Sequence, residues 1–584
     1  MKFYKLAFIG IFSIFCTNIY CQTFSKQQQL PQGHWVYDFL EALFAEQKAV
    51  NPALQAPLSI AELNLYLSSI DYDSLSENAK NLYVEIYSFF NSFPFMFRKG
   101  KVGAGAQFSL HPNFIAKTNE NVDFTFAPYT ALSSYSYDDE QTNSSIVFPL
   151  FMDFGDIIAI ESVPYFGKTL YHLVEHGNIK TNILTPNKNS FTDVKYAYGS
   201  AGYTFDTWGF TVSAGKGGIT EGRTQTGSII YNSTFQTDGY VELEAYSSFL
   251  KYTMDVIQID QNQRWFYFHR LNFSPFKWIR MGISEGTLVN GSFEARYLNP
   301  LVFMHGFFGW TTYIQNRSKD EQEIYVESDY CAYFAATVDF VPTKNLRFYL
   351  LFAQDEIQSF AELNASPAAM TVPDGLGFQL GAEYTLLRPN GAFWTYTAEG
   401  IYTTPFLYIK QLPSCSLYKN IGTNLNAWIG TPFGPDSIGF ETKASYKSRR
   451  FSFDAEYLFV AHGTNSFNLF NNQVIIKDDD GNEHIYYSYY PSVAYNIYQK
   501  YKLKGMTYEE AVSLARSYLL TGTVQFSNTI SASAKYTFND HWSINGKAAY
   551  TFVFNNKNIQ DNFAQSLELT LAFTFNLFGK TKFW

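Results

Sequence analysis

This sequence contains few residues at the spacings that catalysis or metal binding needs. His172, Glu175 and His176 follow the pattern His-Xaa-Xaa-Glu-His, which on a helix would place two imidazoles on one face, where they could bind zinc. The flanking residues favour a strand, however, and the sequence identifies no third ligand. The alternative is a pair of loop or interface histidines. We predict that the chain is not an enzyme and has no catalytic set, metal or cofactor.

Two further motifs resemble ligand-binding loops without matching them. Asp478, Asp479 and Asp480 are consecutive, whereas a calcium loop spaces its carboxylates at alternate positions. We interpret this run, which ends at Asn482, as a solvated hairpin turn. The stretch Gly215–Gly218 lacks the spacing of a phosphate-binding loop, and we predict that it relieves crowding at a strand end.

Cysteine is scarce. Cys16 and Cys21 lie in the N-terminal segment, which leaves Cys331 and Cys415 far apart in the rest of the chain. Two alternatives stay open: the cysteines form a disulfide in an oxidising compartment, or they are two isolated thiols.

The composition favours a membrane barrel over a soluble protein or a helical membrane protein. Phe and Tyr number 57 and 44 among 584 residues, and charged residues make up only 16%, against about 25% in soluble proteins. The mean hydropathy is nevertheless slightly negative, as expected when side chains facing lipid alternate with side chains facing water. The net charge of −10 argues against nucleic acid as a partner.

Residues 1–21 are predicted to be a cleaved signal peptide. Two lysines precede the apolar run Leu6–Phe15, and a more polar stretch ends at Cys21. Lipidation at Cys21 is the alternative to cleavage after it. Since no apolar run of about 18 residues follows Gln22, we expect no transmembrane helix. An exported protein without such a helix is located in the periplasm, the medium or the outer membrane.

Residues 22–98 are predicted to form a small helical bundle, which we place in the periplasm. From His34 to Lys48, apolar residues recur at the 3.6-residue spacing of an amphipathic helix. Ser59–Glu62 and Ser74–Glu77 each match a capping box, in which a serine hydroxyl and a glutamate carboxylate satisfy free amides at a helix start. Three short helices are therefore expected.

Residues 99–584 are predicted to form a large antiparallel outer-membrane β-barrel with long external loops. From Ser566 to Leu577, leucine and phenylalanine alternate with mostly polar residues over a length able to cross a thin hydrocarbon layer. The stretches Ile530–Phe538 and Trp542–Phe554 behave similarly, and the terminal Phe583-Trp584 resembles the assembly signal of such barrels. At roughly 25 to 30 residues per strand, the region accommodates roughly 16 to 20 strands, with an even number expected. A soluble β-sandwich is the alternative, but it explains the length and the signal peptide less well.

The segment from Thr464 to Thr521 is too long for a turn. It carries its own helix-start pattern at Thr507–Glu510. Since long connections lie on the outside of outer-membrane barrels, we predict that this segment is an external lid.

Five stretches along the chain share features with a known family. They contain a Gly-Lys element, a strand ending near His-Arg-Leu, a strand ending Ile-Ser-Glu and a Tyr-Leu-Xaa-Pro element. They are Gly215–Ser233, Phe266–Gly286, Phe293–Leu301, Leu376–Thr385 and Phe451–Phe459. With the N-terminal helices, they resemble the Wzi capsule-assembly family of outer-membrane β-barrel proteins.

The resemblance implies an 18-stranded barrel with periplasmic helices at one end. It also implies a lectin that helps to hold capsular or extracellular polysaccharide at the cell surface. This chain exceeds the family pattern in loops such as 464–521. The resemblance therefore does not carry over a glycan specificity.

Four charged residues are candidate ligand-binding residues in the lumen or at the rim of the predicted barrel. Arg270 and Glu285 lie at predicted strand ends, and strand phase would point Glu294 and Arg296 into the lumen. A charge at membrane depth is more stable in the lumen, because a charge that faces lipid costs a few kcal/mol.

A run of loop tyrosines supplies the other candidates. Tyr486, Tyr487 and Tyr489 offer aromatic faces to the C–H patches of sugars. The same composition is typical of the aromatic girdles at a membrane interface. Both interpretations stay open.

We predict a non-enzymatic, lectin-like protein of the cell outer membrane, with polysaccharide, outer-membrane lipid and the barrel-assembly machinery as partners. The alternative is an outer-membrane porin or oligosaccharide channel. The lumen separates the two hypotheses, since helices that plug one end favour the first and an open pore favours the second. The sequence leaves the glycan and the oligomeric state open.

Overall fold

The computed structural model describes residues 26–91, 96–122, 144–168, 178–183, 190–232, 238–260, 263–300, 304, 330–365, 367–422, 425–477, 480–501, 503 and 505–577. The predicted signal peptide, the histidine pattern at 172–176 and the terminal aromatic pair lie outside these residues.

Eighteen antiparallel strands close into a barrel, which confirms the predicted fold class. The strands are β1 (Val102–Ala106, Ser109–Leu110 and Asn113–Lys117), β2 (Ser144–Val147 and Leu150–Phe154), β3 (Ile158–Lys168), β4 (Ser190–Thr204), β5 (Trp208–Gly217), β6 (Asp238–Ser247), β7 (Leu250–Asp260), β8 (Arg264–Phe276), β9 (Ile279–Asn290), β10 (Tyr330–Thr343), β11 (Leu346–Glu356), β12 (Gly375–Arg388), β13 (Ala392–Thr403), β14 (Ser437–Lys447), β15 (Phe451–His462), β16 (Gln525–Thr537), β17 (Trp542–Phe554) and β18 (Ala564–Asn576). The barrel closes where β18 pairs with β1, with Leu571 opposite Phe114. The short strands Met96–Lys99 and Ile179–Thr181 also pair with β1, and the predicted domain boundary at 98/99 falls within the first of them.

Alternation of side chains fixes the inner and outer faces of the wall. In β18, Leu567, Leu569 and Leu571 point outward and are 39–51% exposed, whereas Glu568 and Thr570 point into the lumen and are buried. A period of two produces this separation because successive side chains of a strand leave on opposite faces. The outer band is therefore the apolar surface that a hydrocarbon layer requires.

Tryptophans mark one edge of this apolar band. Trp208, Trp278, Trp394 and Trp542 all lie at or beside short turns that lead from an even-numbered strand to the next strand. Since indole rings favour the membrane–water interface, the short-turn end lies at one interface. The long connections 357–374, 404–436 and 463–524 lie at the opposite end. Within the described ranges, no helix is both long and apolar enough to span a membrane.

A helical bundle covers the short-turn end of the barrel. Its helices are α1 (Trp35–Glu46), α2 (Ile60–Ser68) and α3 (Glu77–Phe90). Their apolar faces form one buried core, as the helical periodicity predicts. Two backbone hydrogen bonds fix the bundle to turns of the barrel: Val50 N donates to Lys277 O at 2.8 Å, and Asn345 N donates to Ala45 O at 2.7 Å.

The predicted capping boxes of the bundle form only in part. Ser59 Oγ accepts a hydrogen bond from Glu62 N at 3.1 Å, but the Glu62 carboxylate turns to the wall, where Lys251 Nζ donates to it at 2.9 Å. Burial raises the pKa of Glu62 to about 7, although the ammonium of Lys251 opposes this shift. The second box was placed two residues early, because Ser76 rather than Ser74 caps α3.

Two connections from the long-loop end fold back into the lumen. The first, residues 218–232, is called the inward segment below. Its carbonyls at Ile229 and Ile230 accept hydrogen bonds from Tyr333 Oη of β10 at 3.0 and 2.8 Å. The second connection, 404–436, adds Tyr408, whose Oη donates to Ile229 O at 2.5 Å. Both pack into one hydrophobic core with the lumenal side chains of β6–β11.

The connection 463–524 forms a lid over this lumenal core. The connection 357–374 carries α4 (Phe360–Ala365). The lid itself holds the hairpin Gln473–Lys477/Glu483–Tyr487, α5 (Pro491–Tyr501) and α6 (Tyr508–Ala515). The predicted helix start is confirmed as a full capping box, in which Thr507 N donates to the Glu510 carboxylate and Glu510 N donates to Thr507 Oγ1. Residues 480–482, the described part of the acidic run, join the two hairpin strands as the predicted turn.

Arg223 joins the inward segment to both the bundle and the wall. Its guanidinium lies 2.8 Å from Asp38 Oδ1 of α1, 2.9 Å from Glu383 Oε2 of β12 and 3.7 Å from Glu41 Oε2 of α1. Asp38 also pairs with Lys447 at the end of β14. Burial alone would raise the pKa of Asp38, but Lys447 and Arg223 hold it well below its usual range.

Replacing Arg223 should destabilise the protein strongly. We expect Arg223→Ala to lower the free energy of unfolding by about 3–5 kcal/mol, because the partner carboxylates stay in a buried site without their cation. Urea unfolding of the detergent-solubilised protein, followed by tryptophan fluorescence, measures this change.

The matched control is Lys26→Ala. Lys26 forms an ion pair with Asp156, but the two side chains are 58% and 53% exposed, so its loss should cost about 0–1 kcal/mol. Equal effects of the two substitutions would contradict the structural role of Arg223.

Candidate functional site

Arg270 lies in the lumen, as predicted, but it belongs to a buried ion cluster. Its guanidinium lies 2.9 Å from Glu221 Oε2 of the inward segment and 3.5 Å from Glu242 Oε2 of β6, and it also contacts Asp255 of β7. The side chain is 1% exposed. Arg270 therefore fastens the inward segment to the wall and has no surface to offer a ligand.

Glu294 and Arg296 do not lie in the lumen, which corrects the prediction from strand phase. They belong to a turn of 3-10 helix, Ala295–Leu298, that follows the end of β9. The turn folds over the outer face of the wall, where the ring of Tyr297 lies 5.1 Å from that of Tyr267. Burial of these two rings favours the turn over a continued strand, and the charges of Glu294 and Arg296 pair with each other at the outer rim.

Glu285 also points outward rather than into the lumen. It lies opposite His269 of β8 and Phe334 of β10, on the same face of the wall as Tyr267. The same stretch of β9, Gly282–Gly286, matches the pattern Gly-Xaa-Ser-Xaa-Gly, which sequence reasoning had overlooked. A hydrolase places this pattern at a sharp strand-to-helix turn, whereas here it runs through the middle of a continuous strand.

The tyrosines predicted to contact sugars are mostly buried. Tyr486 and Tyr489 are each 6% exposed, and Tyr489 Oη donates to Lys410 O at 3.1 Å. Tyr487 is half-buried, with its ring 5.9 Å from that of Tyr489. These side chains form the underside of the lid, because the aromatic core of the lumen continues upward into it.

Asp436 holds both ends of the lid at the mouth of the barrel. Its carboxylate accepts hydrogen bonds from Asn465 N at 2.9 Å and from Thr521 N at 3.0 Å. Burial raises the pKa of Asp436 to about 6, and the hydrogen bonds from the lid oppose this shift. Between these ends, the ring of Phe467 stacks on Trp428 at 4.0 Å with an interplanar angle of 8°. The lid is therefore a packed structure rather than a loose loop.

The outer side of the lid carries three tyrosines that sequence reasoning missed. Tyr495 and Tyr498 lie one turn apart on α5, and the ring of Tyr508, at the start of α6, lies 5.4 Å from that of Tyr495. Tyr495 and Tyr508 are half-buried and Tyr498 is 38% exposed. We call these three residues the tyrosine patch. The i, i+3 spacing of the first two, next to the capping box of α6, is the signal that would have found it.

Gly505 positions the tyrosine patch. A Cβ at this residue would lie 2.4 Å from Ala494 O and 3.0 Å from Cβ of Tyr498. Only glycine lets the connection between α5 and α6 return this closely. The patch consequently has a fixed base, with exposed Gln499 beside it to hydrogen-bond a polar ligand.

The remaining motifs have structural explanations. A Cβ at Gly215 would lie 2.1 Å from Ala197 O of the neighbouring strand, so this glycine does relieve crowding near the end of β5. Cys331 and Cys415 are both buried, and no disulfide joins them. In the described ranges, no three His, Cys, Asp or Glu residues are grouped so that they could hold a metal ion.

Two tyrosine substitutions distinguish the base of the lid from its outer side. Tyr489→Ala should destabilise the lid by about 3–5 kcal/mol, because it leaves a cavity in the aromatic core. Tyr498→Ala should change the stability by no more than about 0.5–1 kcal/mol. Limited proteolysis of the folded protein within residues 463–524 measures both, and equal cleavage rates in the two variants would contradict this assignment.

No family model and no curated protein matches the chain. Among solved structures, the chain is similar to Wzi of Escherichia coli, described as an outer membrane protein involved in group 1 capsule assembly and as a carbohydrate binding β-barrel. The identity is 11%, the alignment covers 94% of this chain and 99% of that chain, and the TM-score is 0.55. OprD of Pseudomonas aeruginosa (8% identity, 81% and 95% covered) and the channel DcaP of Acinetobacter baumannii (8%, 83% and 100%) reach TM-scores of only 0.37 and 0.32. At these identities, the likeness to Wzi establishes the barrel fold alone.

Proposed function

We propose that this chain is a non-enzymatic surface protein of the outer membrane that binds or anchors capsular or extracellular polysaccharide. The tyrosine patch is the observation that carries the proposal. Its aromatic faces suit the C–H patches of a pyranose ring, and the amide of Gln499 beside it can pair with hydroxyl groups. The fold is that of a carbohydrate binding barrel, which supports the same ligand class.

The location and the other partners follow from the wall of the barrel. An apolar outer band edged by tryptophans fits outer-membrane lipid on all sides. A chain with this wall needs the barrel-assembly machinery to reach the membrane, and we propose both as partners. The lid, at the end opposite the N-terminal bundle, would then face the outside of the cell.

Loss of the protein should release polysaccharide from the cell. Deletion of the gene is expected to raise the shed fraction of polysaccharide at the expense of the cell-bound fraction, measured by uronic acid or total sugar assays of both. Unchanged retention would remove the proposed function and leave the barrel fold intact. In purified protein, Tyr495→Ala combined with Tyr498→Ala should weaken binding of the same polysaccharide by roughly 10- to 30-fold, since two ring contacts of about 1 kcal/mol each are lost.

The matched control is Tyr72→Ala. Tyr72 is 39% exposed, like Tyr498, but belongs to the bundle at the other end of the molecule. It should leave the binding of polysaccharide unchanged. Equal losses in the control and in the double variant would argue against a site on the lid.

A channel is the second candidate function, and the uneven packing of the lumen favours it. Side chains on the lumenal face of β14 and β15 remain solvated: Lys443 is 27% and Asp454 28% exposed. The lumenal charges of β8 and β11 are far less accessible, with Arg270 and Arg347 both at 1%. Solvent therefore enters one side of the lumen.

Conductance distinguishes the two candidates. Because His462, Gln525 and Ser527 are buried where the solvated side meets the lid, we expect the reconstituted protein to show no steady, large openings in planar bilayers. Steady openings of hundreds of picosiemens would support the channel instead.

A further inference from the structure

One half of the rim at the short-turn end of the barrel carries a series of exposed cations. They lie on four consecutive short turns, which join β8 to β9, β10 to β11, β12 to β13 and β14 to β15. The cations are Lys277, Lys344, Arg388, Arg449 and Arg450, and all five side chains are exposed. We call these five residues the basic arc. The chain as a whole has a net charge of −10, so the charge of the arc is opposite to that of the chain.

The other half of the rim has no such excess of positive charge. The turns from β2 to β3, from β4 to β5 and from β16 to β17 carry Asp156, Asp206 and Asp540, and the turn from β6 to β7 carries no charged residue. Lys99 and Lys101, just ahead of β1, are offset by these carboxylates. The rim is therefore positive along the basic arc and close to neutral elsewhere.

Carboxylates of the bundle lie near the basic arc but do not pair with it. Glu85 Oε2 is 3.9 Å from the position of a Cβ at Gly391, on the turn from β12 to β13. At the end of α1, Glu46 and Asp71 lie beside the exposed Lys48. Positive charge stays in excess when these three carboxylates and Lys48 are counted with the arc. Among the described residues, no ion pair joins a cation of the arc to a carboxylate.

Aromatic rings on the outer face place the basic arc at the membrane interface. Phe276 and Trp278 flank Lys277; both are exposed, and their rings stack 5.7 Å apart with an interplanar angle of 3°. Between the next turns, the ring of Trp394 lies 5.2 Å from that of Tyr446. Tryptophan and tyrosine favour the level of the lipid headgroups. The cations beside these rings are therefore at the depth of the lipid phosphates.

The turns of the basic arc are held at a regular spacing. The bundle binds two of them through the carbonyl of Lys277 and the amide of Asn345. Neighbouring strands lie about 4.7–4.9 Å apart, so successive short turns lie about 10 Å apart along the rim. This spacing is comparable with the Debye length of about 8–10 Å. The electric fields of successive turns consequently overlap, and the arc acts as one positive surface.

We propose that the basic arc binds anionic phospholipid headgroups in the membrane leaflet at the bundle end. Lysine and arginine near a membrane surface attract anionic lipids, and a guanidinium can bind a phosphate through two N–H donors at once. A soluble acidic partner would not need aromatic rings at the level of the headgroups. The proposal rests on the proposed location in the outer membrane and not on the binding of polysaccharide, so each can fail alone.

Brominated lipids measure which headgroups surround the basic arc. A fluorophore is attached to Thr343→Cys, beside Lys344, or to the matched control Thr207→Cys, beside Asp206 on the turn from β4 to β5; both threonines are exposed. Each protein is reconstituted in vesicles of equal parts phosphatidylglycerol and phosphatidylcholine, with one lipid or the other brominated. Quenching at Thr343→Cys should show that phosphatidylglycerol associates about 3- to 5-fold more strongly than phosphatidylcholine. Thr207→Cys should show no preference.

The labelling background comes from the protein without an added cysteine, in which Cys331 and Cys415 are buried. Absence of a preference at Thr343→Cys, or an equal preference at Thr207→Cys, would overturn the proposal. The first result would show that the arc does not select anionic lipid, and the second that the selection is general to the rim.

Removal of charge shows whether the cations cause the preference. Lys344→Gln/Arg388→Gln should bring the ratio at Thr343→Cys to about 1, whereas Lys99→Gln/Lys101→Gln on the other half of the rim should leave it unchanged. Urea unfolding should be the same in both double variants, because their lysines and arginine form no ion pair in the described part of the chain. A preference that survives Lys344→Gln/Arg388→Gln would overturn the proposal. Loss of the preference when inorganic phosphate replaces chloride at equal ionic strength would also overturn it, in favour of a site for a free anion.

Discussion

The carboxylate of Glu399 fixes the inward segment to the wall, and the packing of the lumen depends on it. It accepts hydrogen bonds from Gln225 N at 2.8 Å, from Thr226 N at 3.0 Å and from Gln379 Nε2 at 2.9 Å. A buried carboxylate is tolerated only when it is paired in this way. Arg223, two residues before Gln225, joins the same part of the segment to Asp38 of the bundle and to Glu383 of the wall, so that bundle, segment and wall form one structure. The lid can rest on the lumen because the inward segment and the connection 404–436 already form a packed core beneath it.

The wall of the barrel contacts a different environment on each face, and the sequence pattern shows this directly. Leu567, Leu569 and Leu571 alternate with buried polar residues because one face of β18 meets hydrocarbon and the other meets the lumen. A repeating local constraint of this kind leaves a repeating pattern. The barrel and the three helices ahead of it were therefore predictable from periodicity and capping patterns, and the approximate size of the barrel was predictable from the length of the region.

The candidate sites were less predictable, because long-range contacts decide them. Glu62 matches a capping box locally but binds Lys251, which is 189 residues away in sequence. Glu294 and Arg296 alternate as in a strand, yet the contact of Tyr297 with Tyr267 draws them to the outer face. The sequence predicts that Tyr489 is an aromatic residue in a loop. Its side chain is instead part of the core, since the lid to which it belongs packs onto the lumen. The periodicity and the composition of a sequence do not record such contacts.

A lid that rests on a packed core is a suitable base for the proposed binding of a flexible polymer. A mobile loop would have to be ordered at each binding event, at a cost of about 0.5–1.5 kcal/mol for each immobilised side chain. Here Val493 and Ile497 anchor α5 in the lumenal core, so the tyrosine patch is ordered before any ligand arrives. Under the proposed function, each patch would need to contribute only weak affinity, because a long polysaccharide would contact many copies of the protein at once and gain avidity from their number. The packing beneath the lid thus also fixes the outer surface on which the proposed site lies.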